Sequence, residues 1–353
     1  MLINTTTPIA DARVELARSY DLAPSQGAAR DTASRYARVS RVIPEVDWIG
    51  YAPYIRAIEK LKAERDAVIL AHNYMTPEIF HGVSDFSGDS LALAIEATKV
   101  PNQVIVQCGV HFMAETSKIL NPKKTVLIPD GRAGCSLASS ITAADVAGLR
   151  AQYPGAKVVS YVNTTAEVKA ASDICCTSAN ALEVVEAMPG NTVIMTPDGY
   201  LARNVAALST KRIVWWEGTC MVHERFTAEE LRGYRDGNPG VVIIAHPECP
   251  PEVVAEADFA GSTAGMISWV RKNKPAKVVM VTECSMSDNV AAEIPETEFI
   301  RPCNICPHMK RITLENILWS LHTMTEEVTV SEEYLEPARR AVEAMIALNA
   351  PKH

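Results

Sequence analysis

Short apolar runs alternate with amphipathic stretches from about residue 46 onward. Runs of a few apolar residues rich in Val and Ile are typical of buried parallel strands, and the stretches between them favour helices. The same series of runs recurs three times. The predicted strands are 67–71, 104–107 and 125–128 in the first copy, 157–161, 174–177 and 192–195 in the second, and 241–245, 257–260 and 277–281 in the third.

Helical patterns separate these strands, as at 90–99, 181–188 and 251–256. The period is roughly 85 residues, much longer than the about 20–50 residues of a solenoid repeat. Strands that alternate with helices predict parallel βαβ sheets, which bind ligands at the carboxyl ends of their strands. We therefore expect α/β units that present their strand ends to one shared cleft.

Polar residues, among them His, Tyr and Glu that can transfer protons, follow the first strand of each copy. They are His72, Asn73 and Tyr74 in the first copy, Tyr161 and Asn163 in the second, and His246 and Glu248 in the third. Histidine exchanges protons near neutral pH, and burial tunes Glu or Tyr for the same task. A single His at a strand end usually caps a turn, but recurrence at corresponding points favours an active site.

Hydroxyl-rich turns precede three of the helical patterns and contain Ser90, Ser178 and Thr263. Free backbone N–H groups at a helix start, together with Ser or Thr hydroxyls, bind carboxylate or phosphate. Ordinary helix capping explains any one of these turns. Three turns that face one cleft favour a substrate with several acidic groups.

Cysteines follow the last strand of each copy, at Cys135, at Cys220 and in the Cys303-x-x-Cys306 pair. Three converging thiolates can hold an iron–sulfur cluster and leave one iron open to act as a Lewis acid. Buried filler cysteines are the alternative. The pair alone is also compatible with zinc, a redox couple or half of a cluster site.

The remaining cysteines and histidines receive more ordinary interpretations. We expect Cys175, Cys176 and Cys284 in or near the core, and Cys108 and Cys249 at strand ends near the cleft. We expect His111, His223 and His308, each near a cysteine, at the surface or in supporting positions.

Composition narrows the function classes. Hydrophobic residues make up 48% and charged residues 22% of the 353 residues, as is ordinary for a globular protein. The net charge of −8 and the lack of a basic run argue against nucleic-acid binding. No apolar stretch approaches the about 20 residues that span a bilayer, and no signal-peptide pattern opens the chain. An odd number of cysteines does not suggest a secreted disulfide framework, so we expect a cytoplasmic protein.

Residues 1–45 are polar and weakly periodic, which predicts a loosely attached N-terminal extension with one helix around residues 11–19.

The motifs together resemble the NadA-type quinolinate synthases, a family of NAD biosynthesis. The matching stretches are AHNYMTPEI, DFSGDSLALA, MAETSKILNP, VLIPD, YVNTTAEVKA, TSANALEVV, HPECPPEV, STAGM and CPHMKRITLENI. The resemblance extends over about residues 46–322 and leaves the N-terminal extension outside.

The resemblance implies an α/β fold of three similar three-layer αβα domains with short parallel sheets, related by a pseudo-threefold axis around a central active site. We place domain 1 at 46–133, domain 2 at 134–218 and domain 3 at 219–309. We expect C-terminal helices, at about 310–353, to pack back onto domain 1.

The resemblance also implies one 4Fe–4S cluster per chain, with Cys135, Cys220 and Cys306 as its ligands. Cys303 is then free of the cluster, and a regulatory Cys303–Cys306 disulfide is left open. The implied reaction is a transferase-class condensation without net redox change. It joins iminoaspartate to dihydroxyacetone phosphate to give quinolinate, phosphate and two waters, with a functional link to the enzyme that supplies iminoaspartate.

Roles follow from the resemblance and from the chemistry of each side chain. Glu248 and Tyr74 are expected to transfer protons, and His72 and His246 to bind or polarise substrate. Ser90, Ser178 and Thr263 would hold carboxylate or phosphate oxygens, while Tyr161 and Asn163 would line the pocket. The competing hypotheses are a 4Fe–4S hydro-lyase of another pathway and a non-enzymatic binding protein with a structural metal.

Overall fold

Three four-stranded parallel sheets form the framework of the chain, in a computed structural model that describes residues 9–348. The first sheet contains β1 (Ala67–His72), β2 (Phe86–Gly88), β3 (Val104–Cys108) and β4 (Thr125–Leu127). The second contains β5 (Lys157–Tyr161), β6 (Ile174–Cys176), β7 (Thr192–Thr196) and β8 (Arg212–Trp215). The third contains β9 (Val242–Ala245), β10 (Phe259–Ala260), β11 (Lys277–Val281) and β12 (Glu298–Ile300).

All three sheets have the same strand order, in which the second strand lies at one edge and the first, third and fourth follow. Each unit also has an aspartate at the same position, which makes the same hydrogen bond. Asp85, Asp173 and Asp258 directly precede the second strands, and each carboxylate accepts a first-strand amide at 2.8–2.9 Å. The α/β class and the three similar units are therefore confirmed, while the threefold relation between them stays a prediction.

The repeat differs in one respect from the predicted one, because each unit has four strands and not three. The first-copy prediction missed β2, so its second and third strands are β3 and β4. The predictions for the second and third copies missed β8 and β12, respectively. These three strands are short and partly exposed at sheet edges, so they lack the continuous apolar run by which a buried strand is recognised.

Seventeen α-helices lie within the described residues, most of them between strands or packed on the sheet faces. They are α1 (Ile9–Ser19), α2 (Gln26–Asp31), α3 (Ala33–Tyr36), α4 (Glu45–Glu64), α5 (Pro77–Phe80), α6 (Ser90–Ala97), α7 (His111–Leu120), α8 (Ala143–Gln152), α9 (Ala166–Ala170), α10 (Ala181–Ala187), α11 (Gly199–Ala206), α12 (Ala228–Gly237), α13 (Pro251–Glu256), α14 (Thr263–Asn273), α15 (Cys284–Glu293), α16 (Leu314–Thr323) and α17 (Glu332–Leu348).

Capping residues begin several of the helices that point at the strand ends. Asp89 accepts the amide of Ala92 at the start of α6, and Ser262 accepts the amide of Gly265 in α14. Such caps satisfy amides that the first helical turn leaves unpaired. They fix where each helix starts, and therefore where Ser90 and Thr263 lie.

The N-terminal segment is anchored more firmly than predicted. Leu16, Ala28 and Val39 are fully buried in the main hydrophobic cluster, and Arg13 pairs with Glu315 at 2.7 Å. The helix expected around residues 11–19 is α1. The expectation of loose attachment was wrong because three short helices between residues 9 and 36 are too irregular to give a clear period. Residues 1–8 lie outside the described residues.

The C-terminal helices bridge two units. α16 packs against α4, whereas α17 packs against α9 and β6 of the second unit and α7 of the first. The predicted domain boundaries stay predictions, although each sheet takes its strands from one predicted range. The end of the predicted C-terminal segment, 349–353, is outside the described part. Within residues 9–348, no helix combines the length and apolar character needed to cross a membrane.

Candidate active site

A cavity lies where the carboxyl ends of strands from all three sheets meet. Every site residue predicted from the sequence lines it: Cys135, Cys220, Cys306, His72, Tyr74, Ser90, Tyr161, Asn163, Ser178, His246, Glu248 and Thr263. Parallel sheets bind ligands at this edge, and the meeting of three such edges gives one shared pocket.

The three cysteines occupy equivalent loops. Cys135, Cys220 and Cys306 each lie three residues before a one-turn 3₁₀ helix. In each loop the carbonyl of the cysteine accepts the amide four residues later, at 3.0–3.1 Å. The repeat of the sheets therefore continues into the loops that carry the thiols.

The local electrostatics of the thiols is also shared. Burial raises the pKa of all three, and for Cys135 the pKa reaches about 12. In each loop the backbone N–H groups two and three residues after the cysteine act against this shift and lower the pKa. Three free thiols in one cavity, each with two amide donors at its sulfur, are a donor set suited to a metal or a cluster.

The hydroxyl residues lie at helix starts, as the sequence predicts. Ser90 is the first residue of α6 and Thr263 the first residue of α14, and Ser178 lies in the turn before α10. Two of them link units, because Thr263 Oγ1 accepts Asn73 Nδ2 at 2.8 Å and Ser178 Oγ lies 3.1 Å from His246 Nε2.

Glu248 is the centre of a buried hydrogen-bonded group. Its Oε1 accepts the Tyr161 hydroxyl at 2.5 Å and Asn163 Nδ2 at 3.4 Å, and its Oε2 lies 2.8 Å from His223 Nδ1. Burial acts to raise the pKa of Glu248, but the charges of His223 and His246 and the hydrogen bonds from His223 and Tyr161 lower it below the ordinary value. Glu248 is therefore a carboxylate at neutral pH.

The group extends from Glu248 to the phenol of Tyr74. His223 Nε2 lies 3.0 Å from Thr282 Oγ1, and Thr282 Oγ1 lies 2.6 Å from the Tyr74 hydroxyl. Burial, with the nearby Glu248 charge, raises the pKa of Tyr74 well above its ordinary value. The result is a continuous Tyr74–Thr282–His223–Glu248 hydrogen-bond chain across two units.

His223 and Thr282 were missed by the sequence reasoning. The surface alternative for His223 was wrong, since its side chain is 1% exposed and contacts Glu248 directly. The available signal was its position three residues after Cys220, which resembles a ligand spacing. Thr282 carries no comparable signal, because a Thr after a buried strand is common.

The two strand-end histidines are neutral at physiological pH. Burial lowers the pKa of His72 to about 4 and that of His246 to about 3. Backbone amides hold both rings, since His72 Nδ1 accepts Tyr74 N at 3.2 Å and His246 Nδ1 accepts Glu248 N at 3.3 Å. Each Nε2 is therefore the protonated nitrogen and can donate into the cavity.

Asn163 has a buried acceptor without a partner. Its Oδ1 atom makes no hydrogen bond to the described residues, although its Nδ2 donates to Glu248. A buried carbonyl oxygen without a donor is rare in proteins, because leaving it unpaired costs about 1–3 kcal/mol. An N–H or O–H group of a bound molecule would satisfy it.

The Cys303–Cys306 disulfide, which the sequence left open, is not formed. Cys303 is bonded to Cys284, and Cys306 is a free thiol. The cause is a local pairing, in which Glu283 and Asn304 form a parallel bridge and the Cys284 amide donates to Asn304 at 3.1 Å. This pairing brings the Cα atoms of Cys284 and Cys303 to 4.8 Å.

The other cysteines and histidines outside the ligand set are mostly supporting residues. Cys175 and Cys176 are buried, as predicted, and Cys108 and Cys249 are buried without reaching the cavity lining. His308 lines the cavity beside Cys306, and His111 does not.

The family profile and the most similar curated proteins both point to one family. The family profile "Quinolinate synthetase A protein" matches residues 56–347. The chain is 58% identical over 339 residues to the quinolinate synthase of Sinorhizobium medicae, with 96% of this chain and 94% of that protein covered. It is 60% identical over 316 residues to that of Agrobacterium fabrum, with 90% and 92% covered, and 62% identical over 294 residues to that of Xylella fastidiosa, with 83% and 87% covered.

Proposed function

The chain belongs to the quinolinate synthetase A family, and from this premise we propose that it is a quinolinate synthase. The proposed reaction condenses iminoaspartate with dihydroxyacetone phosphate to quinolinate and releases phosphate and two waters. The observation that carries the proposal is the Tyr74–Thr282–His223–Glu248 chain, which ends in a cavity that three thiols share.

Cys135, Cys220 and Cys306 would hold one 4Fe–4S cluster per chain. The residues fit the group, because all three thiols are free, line one cavity and receive backbone N–H groups at their sulfurs. When bound, a cluster with three cysteine ligands supplies an open iron that acts as a Lewis acid without net redox change.

The hydrogen-bond chain would remove and return protons at the Tyr74 hydroxyl. Tyr74 donates to Thr282, Thr282 donates to His223 Nε2, and His223 Nδ1 donates to Glu248. A shift of two protons along it would leave a phenolate at Tyr74 and an imidazolium beside the Glu248 carboxylate, a minor state because the raised pKa of Tyr74 favours the phenol. The phenolate then takes a proton from a substrate carbon or hydroxyl, as a general base does, and returns it in the elimination.

Neutral donors would hold the acidic groups of the substrates. Ser90, Ser178 and Thr263 offer hydroxyls at helix starts, where carboxylate and phosphate bind well. His72 and His246 would donate from Nε2 as uncharged imidazoles, which polarise a carbonyl without giving up the proton. The unpaired Asn163 Oδ1 would accept the N–H of the imine substrate.

The transferase class, the cytoplasmic location and the link to the enzyme that supplies iminoaspartate belong to this proposal. The class and the link follow from the proposed reaction, and the location follows from the cysteine usage.

The test is direct. Anaerobically purified protein is supplied with iminoaspartate, generated in the assay, and with dihydroxyacetone phosphate, and quinolinate is measured by chromatography. Quinolinate formation that needs both substrates supports the proposal. Iron-loaded protein that forms no quinolinate, but dehydrates another hydroxy acid, would favour the hydro-lyase alternative.

A further inference from the structure

The Cys220 loop contains a second convergence of donor atoms, which its two sister loops lack. Cys220 Sγ, His223 Nδ1 and a Glu248 carboxylate oxygen all lie within 4.8 Å of one another. Among residues 9–348 it is the one group of three or more His, Cys, Asp or Glu residues placed to share a metal ion. We propose that the cluster-free protein binds one Zn²⁺ ion at Cys220, His223 and Glu248, and that this ion excludes the cluster.

His223 Nδ1 lies between the other two ligand atoms. His223 Nδ1 lies 2.8 Å from Glu248 Oε2 and 3.1 Å from Cys220 Sγ, so a hydrogen on Nδ1 faces two acceptors. A Zn²⁺ ion that takes the place of this hydrogen and also displaces the Cys220 thiol proton into solvent meets a thiolate, an imidazole and a carboxylate, which are zinc ligands. Zinc bonds of about 2.0–2.3 Å in a tetrahedron separate ligand atoms by about 3.3–3.7 Å. His223 Nδ1 therefore needs to move away from each of the other two atoms by less than about 1 Å. Cys220 Sγ and the Glu248 oxygen lie within 4.8 Å of each other and need to approach by at most about 1.5 Å.

Supporting hydrogen bonds for such an ion are already present. His223 Nε2 lies 3.0 Å from Thr282 Oγ1, and donation from Nε2 leaves Nδ1 free for the metal. Glu248 Oε1 accepts the Tyr161 hydroxyl at 2.5 Å, and Oε2 remains for the metal. Outer hydrogen bonds of this kind hold metal-binding histidines and carboxylates in position.

The site is accessible, and occupying it has two consequences. Cys220 and Glu248 line the cavity, so an ion enters from there, and the fourth zinc position is open to the cavity. Because Cys220 is also a proposed cluster ligand, zinc and the cluster compete for the same protein. The ion also takes His223 and Glu248 out of the proton chain.

The first experiment measures zinc binding to reduced, cluster-free protein under anaerobic conditions, with a chromophoric zinc indicator as competitor. We expect one equivalent to bind to the unmodified protein. Cys135→Ser and Cys306→Ser should keep this equivalent, although neither can hold the cluster. Thr282→Val removes only an outer hydrogen bond and should weaken zinc affinity by about 10–100-fold. Cys220→Ser and His223→Asn each remove a zinc ligand and should weaken the affinity by more than that.

Co²⁺ provides a spectroscopic check, since a tetrahedral thiolate site gives a sulfur-to-cobalt band that His223→Asn should remove. His223→Asn should still assemble the cluster from iron and sulfide, now in the presence of Zn²⁺, which also shows that this variant folds. The proposal is overturned if the unmodified protein takes up no zinc. Equal loss in Cys135→Ser and Cys220→Ser would also overturn it, because the three thiols would then hold the ion. If zinc binds as expected but the protein assembles no cluster, the proposed function is refuted and the zinc site is still supported.

Discussion

The loops of Cys135 and Cys220 share a backbone conformation but carry different residues at the first position of the 3₁₀ turn. Both place a cysteine three residues before a 3₁₀ turn, and both aim two amides at its sulfur. At the first residue of that turn the Cys135 loop has Ala138, whereas the Cys220 loop has His223. Ala138 lies against the hydrophobic core, and His223 contacts Glu248 and Thr282.

This difference between the loops separates ligand binding from proton transfer. The repeated backbone accounts for a thiol at the cavity in every unit, and the Cys306 loop, with Met309 at the same point, follows the same plan. The single histidine connects only the second loop to Glu248 and Tyr74. Ligand roles should therefore be shared among the loops, and proton transfer should depend on one of them.

The largest loss of activity is expected from replacing the cysteine that each of the three loops carries. Cys135→Ser, Cys220→Ser and Cys306→Ser should each abolish both the cluster and quinolinate formation, because each removes one of three ligands. Iron, sulfide and the absorption spectrum of anaerobically purified protein measure the cluster. Normal iron content and turnover in Cys220→Ser would refute the equivalence of the loops.

The next largest loss of activity should come from replacing His223, which only the Cys220 loop has, or its partner Glu248. Glu248→Gln and His223→Asn should keep the iron content and lower kcat by about 10²–10⁴-fold, the range typical of lost acid–base catalysis. The matched change in the first loop, Ala138→Ser, should leave both unchanged. Near-normal kcat in Glu248→Gln would remove the carboxylate from the mechanism.

Buried His246, which follows β9 and stacks on His223 of the second loop, predicts a pH dependence of folding stability. His246 stacks on His223 at 4.8 Å between ring centroids, and its pKa of about 3 lies below the ordinary 6.5. The unfolded chain therefore binds a proton that the folded chain does not, and stability is lost as pH falls below about 6.5. The loss amounts to at most about 1.4 kcal/mol per pH unit for this histidine.

Urea unfolding of cluster-free protein between pH 7 and pH 4.5 measures this loss. His246→Gln should flatten the curve relative to the unmodified protein. Parallel curves for the two proteins would show that His246 is protonated in the folded state.

The smallest effect concerns the third loop, which differs from the others by the Cys284–Cys303 disulfide. Cys303→Ser should keep iron content and kcat, since the free ligand is Cys306. Without reductant it should lower the free energy of unfolding by at most about 3 kcal/mol, for a bond that spans 19 residues. Cys284→Ser should behave identically, and added reductant should erase both differences; unequal effects would contradict the pairing.

Most of the framework was predictable because its central strands are continuous apolar runs. The strands predicted at 157–161 and 277–281 were confirmed at both ends, and each begins with Lys before its buried residues. Edge strand β2 was missed because Phe86 and Ser87 are exposed. The aspartates before β2, β6 and β10 were the overlooked repeat signal.

The candidate site was predictable wherever a residue lies at a strand or helix end. His72, Ser178 and Glu248 were found in this way, and they line one cavity. Thr282 and the Cys284–Cys303 bond depend on contacts between segments far apart in the chain, which no local pattern records. The assignment of catalytic and binding roles stays a prediction, as does the cytoplasmic location.

One measurement tests the central claim most directly: quinolinate formed from iminoaspartate and dihydroxyacetone phosphate, with iron and sulfide counted in the same anaerobic sample. The account predicts quinolinate formation in proportion to cluster content, up to about four irons and four sulfides per chain. Formation that is undiminished in iron-free protein, or absent from fully loaded protein, would contradict it.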